Sequence, residues 1–64
     1  MDKEHILKKA NGVKDLTGMD VSERLWAAGL MPQFEKLRTS DKEMARYILE
    51  ALKVNEDEIE KILH

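Results

Sequence analysis

Helix-start signals recur along this sequence and constrain its fold more than any other feature. Each signal pairs a capping residue with an acid three positions later: Asp20 with Glu23, Ser40 with Glu43, and Asn55 with Glu58. In such a capping box the first side chain accepts a hydrogen bond from a free backbone N–H group of the helix, and the acid accepts one in return. The sequence therefore predicts helices that begin near residues 21, 41 and 56.

Apolar residues at helical spacing give the extent of these helices and indicate two more. The predicted ranges are 3–10, 21–30, 32–38, 41–53 and 56–63. Ser22 is an alternative cap for the second helix, Pro32 suits the first turn of the third, and Asn11-Gly12 is expected to end the first. No segment alternates apolar and polar residues over the length of a strand. These features predict an all-α fold, a compact orthogonal bundle of four to five short helices.

Length and cysteine content limit what stabilises such a bundle. A chain of 64 residues is enough for one domain, 1–64, with one hydrophobic core. The sequence has no cysteine, so neither disulfides nor thiolate metal sites reinforce the core, which is typical of proteins of the reducing cytoplasm. We find no signal peptide and no apolar run of about 20 residues, and we expect a cytoplasmic protein without a membrane-spanning segment.

The residue types that catalysis requires are sparse. The two histidines, His5 and His64, lie near the two ends of the sequence. Neither has the nucleophile and acid of a hydrolase triad around it, or a second metal ligand at helical spacing. Gly12, Gly18 and Gly29 are isolated, so they form no phosphate-binding loop. We therefore expect no enzyme activity, no catalytic residues, no cofactor, no metal site and no small-molecule substrate.

Basic residues cluster at one place in a chain of balanced charge. The whole sequence has 11 basic and 13 acidic residues, which gives no strong attraction to nucleic acid. Lys36, Arg38, Lys42 and Arg46 nevertheless lie close together, and on one face they would form a weak nucleic-acid-binding patch. Acids are interleaved with them, a pattern typical of ion pairs on a solvated helix surface. A weak nucleic-acid-binding domain is therefore the alternative function.

Four large apolar residues surround Pro32: Trp26, Leu30, Met31 and Phe34. They have two interpretations. In so small a domain they can simply fill the core, whereas tryptophan and methionine are also common in contact surfaces between proteins. A marginal core also gains stability when a second copy binds. The sequence favours a non-catalytic protein-interaction module or homo-oligomeric structural unit, with these four residues as candidate partner-binding residues and a protein or a second copy as partner.

A pattern of apolar and turn residues extends over residues 20–63. Its members are Glu23-Arg24-Leu25, Ala28-Gly29-Leu30, Phe34, Asp41, Met44, Ile48-Leu49, Val54 and the closing segment from Ile59 to Leu63. In this pattern the chain resembles a group of short, uncharacterised bacterial all-helical proteins. The resemblance covers about two-thirds of the sequence. It implies an all-helical fold, and no activity, cofactor or site residue is carried over with it.

Overall fold

The computed structural model describes residues 2–64, which contain five α-helices. Their bounds are α1 Lys3–Asn11, α2 Val21–Ala28, α3 Met31–Ser40, α4 Lys42–Ala51 and α5 Glu56–Leu63. A short 3-10 helix, Leu16–Gly18, lies in the connection between α1 and α2. No strand occurs in residues 2–64, so the predicted all-α class is confirmed. No helix in this part of the chain is both long and apolar enough to cross a membrane.

The starts of α2 and α5 follow the sequence signals. Asp20 and Glu23 form a complete capping box, in which the Asp20 carboxylate accepts the Glu23 N–H at 2.9 Å and the Glu23 carboxylate accepts the Asp20 N–H at 3.1 Å. At α5, the Asn55 side-chain oxygen accepts the Glu58 N–H at 2.9 Å. The alternative cap Ser22 lies inside α2. Both helix starts were therefore correctly predicted.

The predicted cap of α4 at Ser40 is wrong. Ser40 is the last residue of α3, where its hydroxyl donates to the Lys36 carbonyl oxygen at 2.9 Å. Asp41 departs from the helical conformation instead, and its carboxylate accepts the Met44 N–H at 3.2 Å. A carboxylate suits this position because its charge also offsets the positive end of the helix dipole. As a result α3 extends past its predicted end at residue 38, and α4 begins at Lys42.

The helices α2 and α4 end in the same way, in a Schellman motif. After α2, Gly29 adopts a φ of 71°, and the N–H of the next residue donates to the Leu25 carbonyl at 2.9 Å. After α4, Lys53 adopts a φ of 64°, and the N–H of the next residue donates to the Leu49 carbonyl at 3.0 Å. Both helices stop short of their predicted ends at residues 30 and 53, because a left-handed residue turns the chain away.

The core forms around α4, which packs against α1, α3 and α5, while α2 packs against α1 and α3. All buried residues of the described chain are apolar. The largest fully buried side chains are Ile6, Leu30, Ile48, Leu49, Leu52 and Ile59. Val54 and Ile59, on either side of the start of α5, are both buried, at the positions typical of a hydrophobic staple. This arrangement leaves a groove between α2, α3 and α5.

Arg24 joins α2 to two other segments of the chain. Its Nε donates to the carbonyl oxygens of Leu16 and Met19, both at 3.1 Å. Its Nη1 donates to the carbonyl oxygens of Leu52 and Lys53, also at 3.1 Å. The first two acceptors precede α2 and the other two follow α4. One side chain therefore positions both segments, and its charge offsets the negative end of the α4 dipole.

Candidate functional site

The structure divides the four apolar residues around Pro32 into two groups. Leu30 and Phe34 are buried, Met31 is half-buried, and Trp26 is 66% exposed. The hypothesis that all four contact a partner therefore needs correction. Leu30 turns inward after the Schellman motif, and Phe34 lies one helical turn later, so both side chains belong to the core. Of the four, Trp26 and part of Met31 remain available to a partner.

The position of Trp26 on α2 directs its side chain towards solvent. The inward face of α2 carries Val21, Leu25 and Ala28, spaced by four and three residues. Trp26 follows Leu25 by one residue, which places it about 100° further around the helix axis. Trp26 and Leu7 are the exposed large apolar side chains of the described chain. The single tryptophan of the chain therefore lies outside the core.

A groove lies between α2, α3 and α5. Its apolar lining consists of Val21, Leu25, Met31, Phe34 and Ile62, and its polar lining of Asp20, Ser22, Glu35, Arg38, Glu58 and Lys61. Ser22 lies one helical turn before Trp26 on α2. Side chains four residues apart are neighbours on a helix surface, and long ones lean towards the N-terminus. Trp26 is therefore a neighbour of Ser22 on the surface of α2, and does not itself line the groove.

The groove is lined by charged side chains of both signs. Asp20 and Glu58 lie at the starts of α2 and α5, and both also line an adjoining cleft. Arg38 and Lys61 lie in the last turns of α3 and α5. The end of α3 leads directly into α4, and the end of α5 shares a cleft with Lys42 at the start of α4. Glu35 also lines the groove and lies 3.6 Å from Arg38, so acidic and basic groups stand side by side rather than at separate ends.

Arg46, the last member of the predicted basic patch, lies among three carboxylates. Its guanidinium group is 2.5 Å from the Glu56 carboxylate, 3.9 Å from that of Glu50, and also bonds that of Glu60. The hydrogen bonds with Glu56 and then Glu60 raise the pKa of Arg46. These contacts join α4 to the first two turns of α5. They also surround the cation with negative charge, which opposes the approach of a phosphate group.

The other three basic residues are exposed but do not form an uninterrupted basic face. Arg38 lies 3.6 Å from the Glu35 carboxylate and stacks over the Phe34 ring at 5.9 Å. Lys36 and Lys42 are exposed on α3 and α4. With Arg38 paired to an acid and Arg46 paired to three, the cluster retains little net positive charge. Its summed attraction for a nucleic-acid backbone is correspondingly small.

The groove offers binding groups rather than a recognisable set of reactive groups. Its lining contains one hydroxyl, that of Ser22, and no histidine. His5 and His64 are both exposed, the first on α1 and the second after α5. Within residues 2–64, no three side chains of the His, Asp and Glu types come together as metal ligands would. The chemistry available here is burial of apolar surface with polar and ionic contacts around it.

Sequence reasoning found only part of this site. Met31, Phe34 and Arg38 were among the candidate residues, and all three line the groove. Lys61 and Ile62 were missed because no local pattern indicates that α5 faces α2 and α3. No family model, curated protein or solved structure matches this chain. The resemblance to short bacterial all-helical proteins therefore stays a prediction.

Proposed function

We propose that this chain is a non-catalytic, cytoplasmic protein-interaction module whose contact surface is Trp26 with the groove beside it. One observation carries the proposal: Trp26 is 66% exposed, and it lies one helical turn after Ser22, which lines a groove with partly apolar walls. A small domain has few large apolar side chains with which to stabilise itself. Leaving the single tryptophan outside the core is understandable if a partner covers it.

The physical character of this surface suits protein binding. Tryptophan is prominent among residues that dominate binding free energies, because it buries a large apolar area while its ring N–H can still donate a hydrogen bond. Leu25 and Phe34, beneath the groove, are core residues and are held by close packing. A partner would therefore meet a preformed surface. The charged groups around the groove can fix its orientation.

The same contacts favour a protein partner over nucleic acid. Two of the four candidate basic residues, Arg38 and Arg46, already have acidic partners. The chain carries a formal net charge of −2. A nucleic-acid backbone is recognised mainly through concentrated positive charge, whereas a protein partner can use the mixed charges and the exposed ring.

Site-specific photocrosslinking tests this proposal. A photoreactive phenylalanine analogue replaces Trp26 in one variant and Ala27 in a matched control, since Ala27 is also exposed on α2 but lies about 100° further around the helix. Both variants are irradiated in an extract of the source cells, and adducts are identified by mass spectrometry. We expect a defined polypeptide adduct at position 26 and none at position 27. Equal labelling, or no adduct at either position, would contradict the proposal.

A further inference from the structure

Asn11 and Gly12 form a pair whose chemistry the proposed function does not use. Asn11 is the last residue of α1, Gly12 follows it, and both are exposed to solvent. Asparagine is a thermolabile residue, because the backbone nitrogen of the next residue can attack its side-chain amide carbon and close a five-membered ring. A glycine in the second position has no side chain to hinder this attack and adopts many backbone conformations. The pair is therefore suited to spontaneous deamidation.

The backbone conformation at position 12 does not require glycine. Gly12 has a φ of −77° and a ψ of −11°, in the right-handed region that other residues also adopt. A Cβ atom there would lie 3.4 Å from the Lys9 carbonyl oxygen, at van der Waals contact. Gly29 differs, since its φ of 71° suits glycine. The effect of Gly12 on the chemistry of Asn11 can therefore be separated from its effect on the fold.

The end of α1 holds the attacking nitrogen by weak hydrogen bonds. The Gly12 N–H donates to the Lys9 carbonyl oxygen at 3.2 Å, and the Val13 N–H donates to that of Ala10 at 3.1 Å. Both bonds connect residues three apart, as in a 3-10 helix, whose hydrogen-bond geometry is poorer than that of an α-helix. Helix ends also fray more readily than helix centres. Opening of this last turn frees the Gly12 nitrogen, and neither Asn11 nor Gly12 has to leave the core.

We propose that Asn11 is a deamidation site, with the Gly12 nitrogen as nucleophile and water as the co-reactant. The Gly12 nitrogen gives up its proton to solvent and bonds to Cγ of Asn11. The bond from Cγ to Nδ2 breaks, and Nδ2 takes up a proton and leaves as ammonia. One water molecule then opens the ring. Cleavage between Cγ and the Gly12 nitrogen leaves aspartate, whereas cleavage of the original peptide bond leaves isoaspartate, in which the main chain runs through Cγ.

The two products affect α1 differently. Aspartate keeps the backbone unchanged, and its charge at the negative end of the α1 dipole is offset by Lys8 and Lys9 in the same turn. Isoaspartate adds one carbon atom to the main chain, so the hydrogen bonds of Gly12 and Val13 lose their register. The isoaspartate form therefore holds the last turn of α1 less firmly against the core.

Incubation of the folded chain in warm, mildly alkaline buffer tests the proposal. Peptide mapping by mass spectrometry locates each deamidated residue, and chromatography separates its aspartate and isoaspartate forms. Asn55 is the internal control, because it is also exposed but precedes Glu56, and its side-chain oxygen accepts the Glu58 N–H at 2.9 Å. Gly12→Ala is the matched variant, since a Cβ atom fits at this position. Far-UV circular dichroism verifies that the variant is helical.

We expect Asn11 to be converted to both products while Asn55 stays intact. Ion-exchange chromatography should show the chain gaining one unit of negative charge beyond its formal net charge of −2. Gly12→Ala should lose this shift over the same period. Three results would overturn the proposal: equal conversion of Asn11 and Asn55, a Gly12→Ala chain that deamidates as fast as the wild type, or an intact Asn11 in the folded chain after a sample unfolded in guanidinium chloride is fully converted there.

Discussion

Arg24 donates a hydrogen bond of 3.1 Å to the carbonyl oxygen of Lys53, a residue held in the left-handed conformation with a φ of 64°. The same guanidinium nitrogen bonds the Leu52 carbonyl, so the cation of α2 serves two carbonyl groups that follow α4. Free carbonyl groups at a helix end need such partners. This bond therefore connects a non-glycine residue of a Schellman motif to an arginine that holds two segments of the chain together.

Replacing Lys53 with glycine should stabilise the protein. A residue with a side chain pays a steric cost in the left-handed conformation that glycine does not, and the gain exceeds the extra entropy of glycine in the unfolded chain. We expect Lys53→Gly to raise the free energy of unfolding by about 0.5–1 kcal/mol in urea denaturation. Lys53→Ala is the control, since alanine retains the steric cost. Equal stabilities of the two variants would show that the left-handed conformation at this position costs a residue with a side chain no free energy.

Replacing Arg24 with lysine should destabilise the protein. The ammonium group of lysine is a single donor point, so it cannot serve, as the two guanidinium nitrogens do, both the carbonyl groups before α2 and those after α4. We expect Arg24→Lys to lower the free energy of unfolding by about 1.5–3 kcal/mol. The control is Arg38→Lys on the exposed surface of α3, expected to change it by less than about 0.5 kcal/mol. Similar effects of the two variants would refute the role given to Arg24.

Removing the ring of Trp26 should leave the stability of the monomer nearly unchanged. Because the side chain is 66% exposed, Trp26→Ala should change the free energy of unfolding by less than about 0.5 kcal/mol at low micromolar concentration. Leu49→Ala, which removes a fully buried side chain of α4, should cost about 2–5 kcal/mol. A loss at Trp26 comparable to that at Leu49 would place the ring in the core and remove its role in binding.

The ion pairs of Arg46 should make α5 sensitive to salt. Arg46→Gln should lower the urea midpoint at low ionic strength, and the difference from the wild type should shrink in about 1 M NaCl, because exposed pairs are screened. Lys42→Gln removes the same charge from α4 outside this network and should show a smaller salt dependence. A midpoint difference for Arg46→Gln that salt leaves unchanged would argue against the network.

The direction of the pKa shift sets the pH range of this contribution. Binding to Glu56 and Glu60 raises the pKa of Arg46 in the folded state. A cation whose pKa rises on folding contributes stability below its unfolded value and loses it only as the pH passes the folded value. The contribution of the Arg46 charge to stability therefore persists through neutral pH and is lost only in strongly alkaline solution.

The sequence predicts the class and the helices of this fold well, because their signals are local. The capping box of Asp20 and Glu23 and the cap at Asn55 each lie within a single helical turn. At α4, the adjacent residues Ser40 and Asp41 can both serve as the cap. The pattern of an acid three positions later favours Ser40, which is the wrong residue. Lys53 gave no sign of a left-handed turn, since that conformation is typical of glycine or asparagine.

The groove could not be predicted from the same signals. Its walls come from α2, α3 and α5, and α5 is distant in sequence from the other two, so no local signal gives its position relative to them. The exposure of Trp26, in contrast to the burial of Leu30 and Phe34, can be partly predicted from the sequence. Helical spacing places Trp26 off the inward face that carries Val21 and Leu25. Closeness in sequence alone does not show that these side chains point in different directions.

Trp26 is the only tryptophan of the chain, so its fluorescence reports on the contact surface without interference. The most direct measurement combines sedimentation equilibrium with acrylamide quenching of Trp26 on the same samples over a wide concentration range. We expect the ring to be accessible to the quencher in the monomer at low concentration, and to become shielded wherever the mass rises towards that of a dimer. A ring already shielded in the monomer, or one that stays accessible while the mass doubles, would contradict the assignment of Trp26 to the contact surface.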